Sequence, residues 1–282
     1  TNSIFRIFKD VIVPTFSASP PPTANGNKGF NDWHRVIPAW LSKITINVTD
    51  SGNSTIITVD YRVFYYATGV TTDYVSITKN LFKNSATFIV SMNNVYISTN
   101  YINGSADIRV RVIDRAGNTT EDVLFTLRKD TTSPNIVWGE PDNKLATRHW
   151  YNTFDTSWMN DIKITINDVG SSNLSVVEQG VLTKDPYTSA IKSYKWSVIT
   201  QDGGLRNIQI VPHFALNWNG LDNGINVLQI RATDNAGNAV NWSTMDSFYI
   251  YKDNIVPTVV INIPVVSTNA WYSATPSWQT KI

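Results

Sequence analysis

The stretch RATDNAGNAVN at 231–241 is a near-copy of RVIDRAGNTTE at 111–121, and the two Asp-x-Ala-Gly-Asn cores begin at Asp114 and Asp234, 120 positions apart. Similarity at a fixed period is the mark of a tandem array, so the same spacing is expected elsewhere in the chain. It recurs. FRIFKDVIVPTF at 5–16 aligns with FTLRKDTTSPNI at 125–136 and FYIYKDNIVPTV at 248–259, which places Lys-Asp at 9–10, 129–130 and 252–253. Pro14, Pro134 and Pro257 follow four residues after each Asp. KITIN at 43–47 returns letter for letter at 163–167, and Trp33 and Trp40 answer to Trp150 and Trp158 and then to Trp271 and Trp278.

This period divides the chain into residues 1–10, the last strand of a preceding repeat; complete units at 11–130 and 131–253; and 254–282, the start of a third. The expectation is an excerpt from a longer array. Terminal units of such arrays usually carry a distinct capping sequence, and neither end does. The alternative is that the dangling ends pair with neighbouring molecules by strand addition.

Composition sets the structural class. Thr, Ser, Val, Ile, Asn and aromatics dominate, while Glu occurs only at 121, 140 and 178, so strands are expected and almost no helix. Apolar residues alternate with period two: in IITVDYRVFYY (56–66) Ile57, Val59, Tyr61, Val63 and Tyr65 share one face, opposite Thr58, Asp60 and Arg62. In LQIRATD (228–234) Leu228, Ile230 and Ala232 oppose Gln229, Arg231 and Thr233. About seven such segments per unit, separated by Gly, Asn, Asp and Ser clusters, predict antiparallel β-sandwiches. In the repeated turn, Asp114 or Asp234 is expected to accept an amide two residues on, and Gly117 or Gly237 to supply positive φ.

With these motifs in view, the chain resembles the tandem immunoglobulin-like domains of prokaryotic cell-surface proteins. There a strand ending in Asp-x-Ala-Gly-Asn leads to a final strand and an Asp-Thr-Thr-x-Pro linker, matched here by 234–238 and 130–134. The resemblance implies an all-β fold of tandem immunoglobulin-like sandwiches and an extracellular, cell-envelope location. The units are longer than usual, with insertions before KITIN and between 67 and 100.

Several functional classes are disfavoured. A net charge of +1, from 23 basic and 22 acidic side chains, gives no field for nucleic acid or an anionic membrane. The most apolar run, VPTVVINIPVV at 256–266, is about half the roughly 20 residues a membrane span needs. No export signal is visible at 1–10, so if the protein is secreted that signal is expected to have been removed or to lie outside this segment. Without cysteine there is neither a disulfide nor a thiolate metal site. His34, His149 and His213 fit no zinc spacing, and no nucleophile elbow or phosphate loop is present, so a non-enzyme is expected.

Three sets of residues remain as candidates. Carboxylates recur in the linker (Asp10, Asp130, Asp253), in a loop two residues before a glycine (Asp50, Asp168) and in the turn (Asp114, Asp234). If linker, loop and turn meet at a junction, their hard oxygens suit calcium, although Asp also favours turns for its own sake. Asn-x-Ser/Thr sequons at Asn47, Asn53, Asn103, Asn118, Asn173 and Asn241 are candidate glycan sites, a count that the richness in Asn, Ser and Thr explains by chance. The paired tryptophans are read as packing rather than sugar stacking, because large aromatics kept in every unit usually fill space between sheets or domains. The expected role is a structural subunit of a surface layer or surface filament, whose partners are copies of itself and possible surface glycans. Alternatives are an adhesin stalk or binding module, and spacer domains of a secreted hydrolase.

Overall fold

The computed structural model describes residues 6–19, 28–138, 149–154, 163–200, 204–210, 218–241, 248–260 and 274. Its strands are β1 (Thr15–Ala18), β2 (Trp33–His34), β3 (Ile44–Thr49), β4 (Ile56–Tyr65), β5 (Val70–Thr71), β6 (Val75–Lys83), β7 (Ser85–Val90), β8 (Gly104–Asp114) and β9 (Thr119–Lys129). The order then repeats with β10 (Asn135–Trp138), β11 (Trp150–Tyr151), β12 (Ile164–Asn167), β13 (Leu174–Lys184), β14 (Ile191–Thr200), β15 (Asn207–Ile210), β16 (Gly224–Asp234), β17 (Ala239–Asn241) and β18 (Phe248–Lys252). Among the described residues, helix is confined to α1 (Asn93–Ile97) and to 3-10 turns at Ala39–Ser42 and Trp218–Gly220.

Each half forms two sheets. In the first, β1-β3-β7 faces β2-β9-β8-β4-β5, with β6 also on β4; in the second, β10-β12-β15 faces β11-β18-β16-β13-β14, with β17 on β16. Most pairs are antiparallel; the two-residue strands β2 and β11 instead run parallel to β9 and β18. KITIN is the central strand of the smaller sheet in both halves, which explains its recurrence: Ile44 and Ile46, like Ile164 and Ile166, are buried, while Thr45 and Asn47 point outward.

The cores are separate. Ile46, Val59, Tyr61, Val63, Ile108, Val110 and Phe125 fill the first. Ile164, Ile166, Val177, Leu228, Ile230 and Ile250 fill the second. Full burial of one such side chain contributes about 1.5–3 kcal/mol, which opposes the entropy cost of ordering the two sheets it joins.

Alternation reads out as expected along β16, where Leu228, Ile230 and Ala232 are buried and Arg231 is exposed. It needs one correction in β4. Val59, Tyr61, Val63 and Tyr65 are inward, but Ile56 replaces Ile57 in the core. The pairing register with β8 slips between Ile56 and Thr58, so the extra residue of a bulge shifts the phase of the strand. The equivalent slip recurs in β13 between Leu174 and Val176.

The repeated turn is also corrected in detail. Asp114 and Asn118 close a three-residue loop through Asp114 N–H to Asn118 C=O at 3.1 Å, and Asp234 and Asn238 do so at 3.0 Å. Gly117 and Gly237 take φ of 93° and 92°, the left-handed position of such a loop. The Asp carboxylate therefore binds the amide four residues on, not two: Asn118 N–H to Asp114 Oδ1 and Asn238 N–H to Asp234 Oδ1, both at 2.8 Å.

Candidate functional site

The recurrent carboxylates converge. Asp10, Asp50 and Asp114 form one cluster and Asp130, Asp168 and Asp234 a second, each offering oxygens within 4.8 Å of one another. Linker, loop and turn meet because the chain leaves one sandwich at Lys-Asp and immediately starts the first strand of the next. The start of β4 or β13 and the β8–β9 or β16–β17 turn lie beside that crossing. Asp253 occupies the same linker position but joins no acidic cluster among the described residues.

The second cluster, here the second node, shows how the linker is held. Asp130 donates its N–H to His34 C=O at 3.1 Å and accepts Asn238 Nδ2 on its own C=O at 2.9 Å. Its carboxylate takes the amides of Ser171 and Ser172, each at 2.8 Å, and that of Thr132 at 3.0 Å. One residue is thus bound to the sandwich behind it and to the sandwich ahead. Gly170 permits this approach: a Cβ there would lie 2.3 Å from Asp130 Oδ2. Gly52 does the same for Asp10, at 2.2 Å.

Asp168 accepts Gly170 N–H on Oδ1 and Asn173 N–H on Oδ2, and Asp234 accepts Gly237 and Asn238 amides together with Asn238 Nδ2. Hydrogen bonds to charged acceptors are worth about 1.5–3 kcal/mol each. They oppose a real cost. Two unit charges ~5 Å apart repel by about 3 kcal/mol at an effective dielectric of ~20. The consequence is visible at Asp234: burial, with Asp130 adding, pushes its pKa above the usual value despite the hydrogen bonds from Asn238 and Gly237.

The first node differs. Asp10 accepts Ile12 N–H at 3.0 Å and Ser54 N–H at 2.6 Å, Asp114 accepts Asn118 N–H at 2.8 Å and Asn118 Nδ2 at 2.7 Å, and Asp50 Oδ1 accepts Gly52 N–H at 2.8 Å. Asp50 Oδ2, on a residue 2% exposed, has no partner. At the second node Asn173, with φ of +66°, donates its N–H to Asp168 Oδ2; Thr55 stands at the equivalent position of the first node and is not among the residues with positive φ. The Ser172 hydroxyl is also buried without a partner.

Further contacts cross the junction. Asn103 Oδ1 accepts Thr131 N–H at 3.0 Å and its Nδ2 donates to Thr132 Oγ1; Arg35 Nη1 donates to Gly237 C=O at 3.3 Å; and Lys28 Nζ donates to Asn235 C=O. The linker lysines have a role that the sequence did not disclose. Lys129 Nζ caps the carbonyls of Tyr96 and Tyr101, and Lys252 Nζ those of Trp218 and Leu221, beside aromatic rings. Only the recurrence of Lys before Asp hinted at it.

The sequons divide by what their side chains already do. Asn118 is bound within the first node and Asn103 within the junction, so a glycan on either would displace structural bonds. Asn173 is the left-handed residue of the second node. Asn53 is exposed on its loop, and Asn47 accepts a hydrogen bond from Thr87 Oγ1 on the outer face of β3. Asn241 ends β17, with its side chain outside the described residues.

Trp40 packs edge-on against Phe30, His34 and Phe125 and donates to Lys28 C=O. Trp33 lies beside the Arg128 guanidinium, and Trp150, half exposed, lies against Tyr251 at an open cleft that Tyr187 and Asp253 also line. Trp158, Trp271 and Trp278 fall outside the described residues, as does His213. His34 is buried with Nε2 near Gly29 C=O, and burial pushes its pKa down.

Comparison with protein-family models and with curated proteins returns no match. Among solved structures, the chain is similar to a tetra-tandem repeat in the extending region of a large adhesion protein, at 13% identity over 86% of this chain and 50% of that one, TM-score 0.32. It is also similar to fibronectin(III)-like modules of Clostridium thermocellum CbhA, at 12% identity over 87% of this chain and 100% of that one, TM-score 0.26. A 1.5-MDa bacterial ice-binding adhesin gives 11% identity over 86% and 65%, TM-score 0.34. The chain spans half the length of the first of these structures. Independently of them, strand order and separate cores establish an all-β chain of tandem antiparallel sandwiches with immunoglobulin-like topology.

Proposed function

We propose that the chain is a non-enzymatic structural segment of an extracellular cell-surface protein, a stiff spacer in which sandwiches at 11–130 and 131–253 are stacked through bonded linkers. The observation that carries this reading is Asp130, tied by its amide, carbonyl and carboxylate to groups on both sides of the junction. No free linker separates the sandwiches, since β9 ends at Lys129 and β10 begins at Asn135. A surface-layer or filament subunit, tiling with copies of itself, is the assembly this spacer would build, with glycans carried at Asn53 and Asn47. An adhesin stalk is the second form, favoured by the half-exposed Trp150 and exposed Tyr187 at the cleft of the second sandwich, where a surface glycan would stack.

Small-angle scattering on the whole chain tests the spacer: a single extended particle with a sharp maximum dimension is expected, and a broad hinge distribution overturns it. Analytical ultracentrifugation then separates the two forms. Concentration-dependent assembly supports the lattice, and a monodisperse monomer at high concentration supports the stalk.

A further inference from the structure

We infer that Asn223 is a site of spontaneous deamidation, in which the Gly224 backbone nitrogen closes on the Asn223 side chain, while the same dipeptide at Asn103-Gly104 is protected by its linker. Asn-Gly is the dipeptide most open to this cyclisation, because glycine puts no side chain in the path of the attacking nitrogen. Each pair stands where the long strand β8 or β16 begins. The fold imposes the glycine there: Gly104 and Gly224 take φ of 128° and 137°, and a Cβ on Gly224 would lie 2.6 Å from the Lys184 carbonyl oxygen. The asparagines differ in what holds them. Asn103 Oδ1 accepts the N–H of Thr131 at 3.0 Å and its Oγ1 at 3.1 Å, and Asn103 Nδ2 donates to Thr132 Oγ1. Among the described residues, Asn223 Oδ1 accepts only Asn254 N–H, at 3.2 Å, and Asn223 Nδ2 has no hydrogen-bond partner. The linker letters give the reason, since Thr131-Thr132 follows Asp130 whereas Asn254-Ile255 follows Asp253, and isoleucine offers no acceptor.

The step is intramolecular, with nucleophile and carbonyl on adjacent residues. Gly224 N bonds to Asn223 Cγ and loses its proton, the Cγ–Nδ2 bond breaks, and the side-chain nitrogen leaves as ammonia, which closes a succinimide ring. Water then opens the ring, giving aspartate where the bond to Cγ breaks and isoaspartate where the main-chain bond breaks. Asn103 must give up its contacts with both threonines before its Cγ can turn to the Gly104 nitrogen, and Asn223 has a single bond to release. Water reaches the second site, because Asn223 and Gly224 line the open cleft with Asp253 and Ile255. Asn219-Gly220, another pair of the same kind, lies in the 3-10 turn Trp218–Gly220, and its closure by Leu221 N–H to Trp218 C=O fixes the backbone that has to rotate. Aspartate at 223 keeps an acceptor for the Asn254 amide and adds a negative charge to the cleft that Asp253 lines. Isoaspartate lengthens the main chain by a methylene and displaces that acceptor. The exit of the second sandwich therefore loosens with age, while the junction between the two sandwiches keeps its tie. The inference goes beyond the spacer reading and stands without it.

Peptide mapping by mass spectrometry tests it, on the whole chain kept folded in warm neutral buffer and sampled over weeks, with the chain unfolded in urea as the control. In the folded chain Asn223 should convert about tenfold faster than Asn103, the factor that two hydrogen bonds of ordinary net strength impose. In urea the two should convert at like rates. Conversion should quicken as pH rises, because the attacking nitrogen must shed its proton. Ile255→Thr, which restores the missing hydroxyl, should slow the loss of Asn223, and Thr132→Ile, which removes its counterpart, should hasten the loss of Asn103, with circular dichroism showing each variant folded. No conversion at Asn223, equal rates in the folded chain, a faster Asn103, or a folded Ile255→Thr chain that converts as fast as its parent would each overturn the proposal.

Discussion

The two acidic nodes are built from the same three motif positions and differ in how their carboxylates are satisfied. At the second, Asn173 adopts left-handed φ and delivers its amide to Asp168; at the first, Thr55 does not, and Asp50 keeps an unpaired oxygen. A β-branched residue pays heavily for positive φ, and Asn tolerates it through its short polar side chain. The nodes thus differ in whether an amide reaches the second oxygen of the loop carboxylate, which it does at Asp168 and does not at Asp50.

The largest expected effect breaks a node outright. Asp234→Ala should cost about 3 kcal/mol in urea unfolding, because the buried amides of Gly237 and Asn238 lose their acceptor. Asp114→Ala should cost somewhat less, since fewer amides depend on it. A loss below about 1 kcal/mol at Asp234 would show that the turn closes without its carboxylate.

Next in size, Gly170→Ala should cost about 2 kcal/mol by forcing Asp130 off its amides, and scattering should show the two sandwiches hinging. Gly52→Ala is the milder counterpart, because Asp10 is held by two amides and has room to move. Equal costs would mean that the linkers are bound alike.

Exchanging the deciding residue sharpens the comparison further. Asn173→Thr should destabilise by about 1–2 kcal/mol through backbone strain, detected as a lower midpoint for the second sandwich, and Thr55→Asn should be close to neutral. A neutral Asn173→Thr would remove strain as the reason the nodes differ.

The smallest effects lie on the sheet faces, outside both nodes. Glu178 pairs with Arg231 and Glu121 with Arg62, so Glu178→Gln and Glu121→Gln should each cost under about 1 kcal/mol in thermal melts. The pH dependence has a definite sign. Hydrogen bonding to Arg231 lowers the Glu178 pKa; at Glu121 burial raises it, but Tyr74 and Arg62 together carry it lower. Amides of Thr188 and Tyr187 hold Asp185 at about 2. Carboxylates depressed in the fold contribute stability above their unfolded values, 4.5 for Glu and 3.8 for Asp, that is lost as pH falls through the folded ones. Midpoints should therefore drop between about pH 4.5 and 2, and a flat profile there would contradict these assignments.

The period of 120 residues, the antiparallel strands and the choice of carboxylates are legible in the letters, because alternation, turn chemistry and repetition are local or periodic properties. The bulge that puts Ile56 rather than Ile57 in the core is not, since register depends on what the neighbouring strand offers. Nor is the duty of Lys129 and Lys252, whose carbonyl partners lie about 30 residues away. Sequence alone determined that Asp would recur at linker, loop and turn. Only the tertiary structure decided that the three meet, and that an amide claims Asp168 Oδ2 while none claims Asp50 Oδ2, because those partners depend on how loop and turn backbones distant in sequence are brought together.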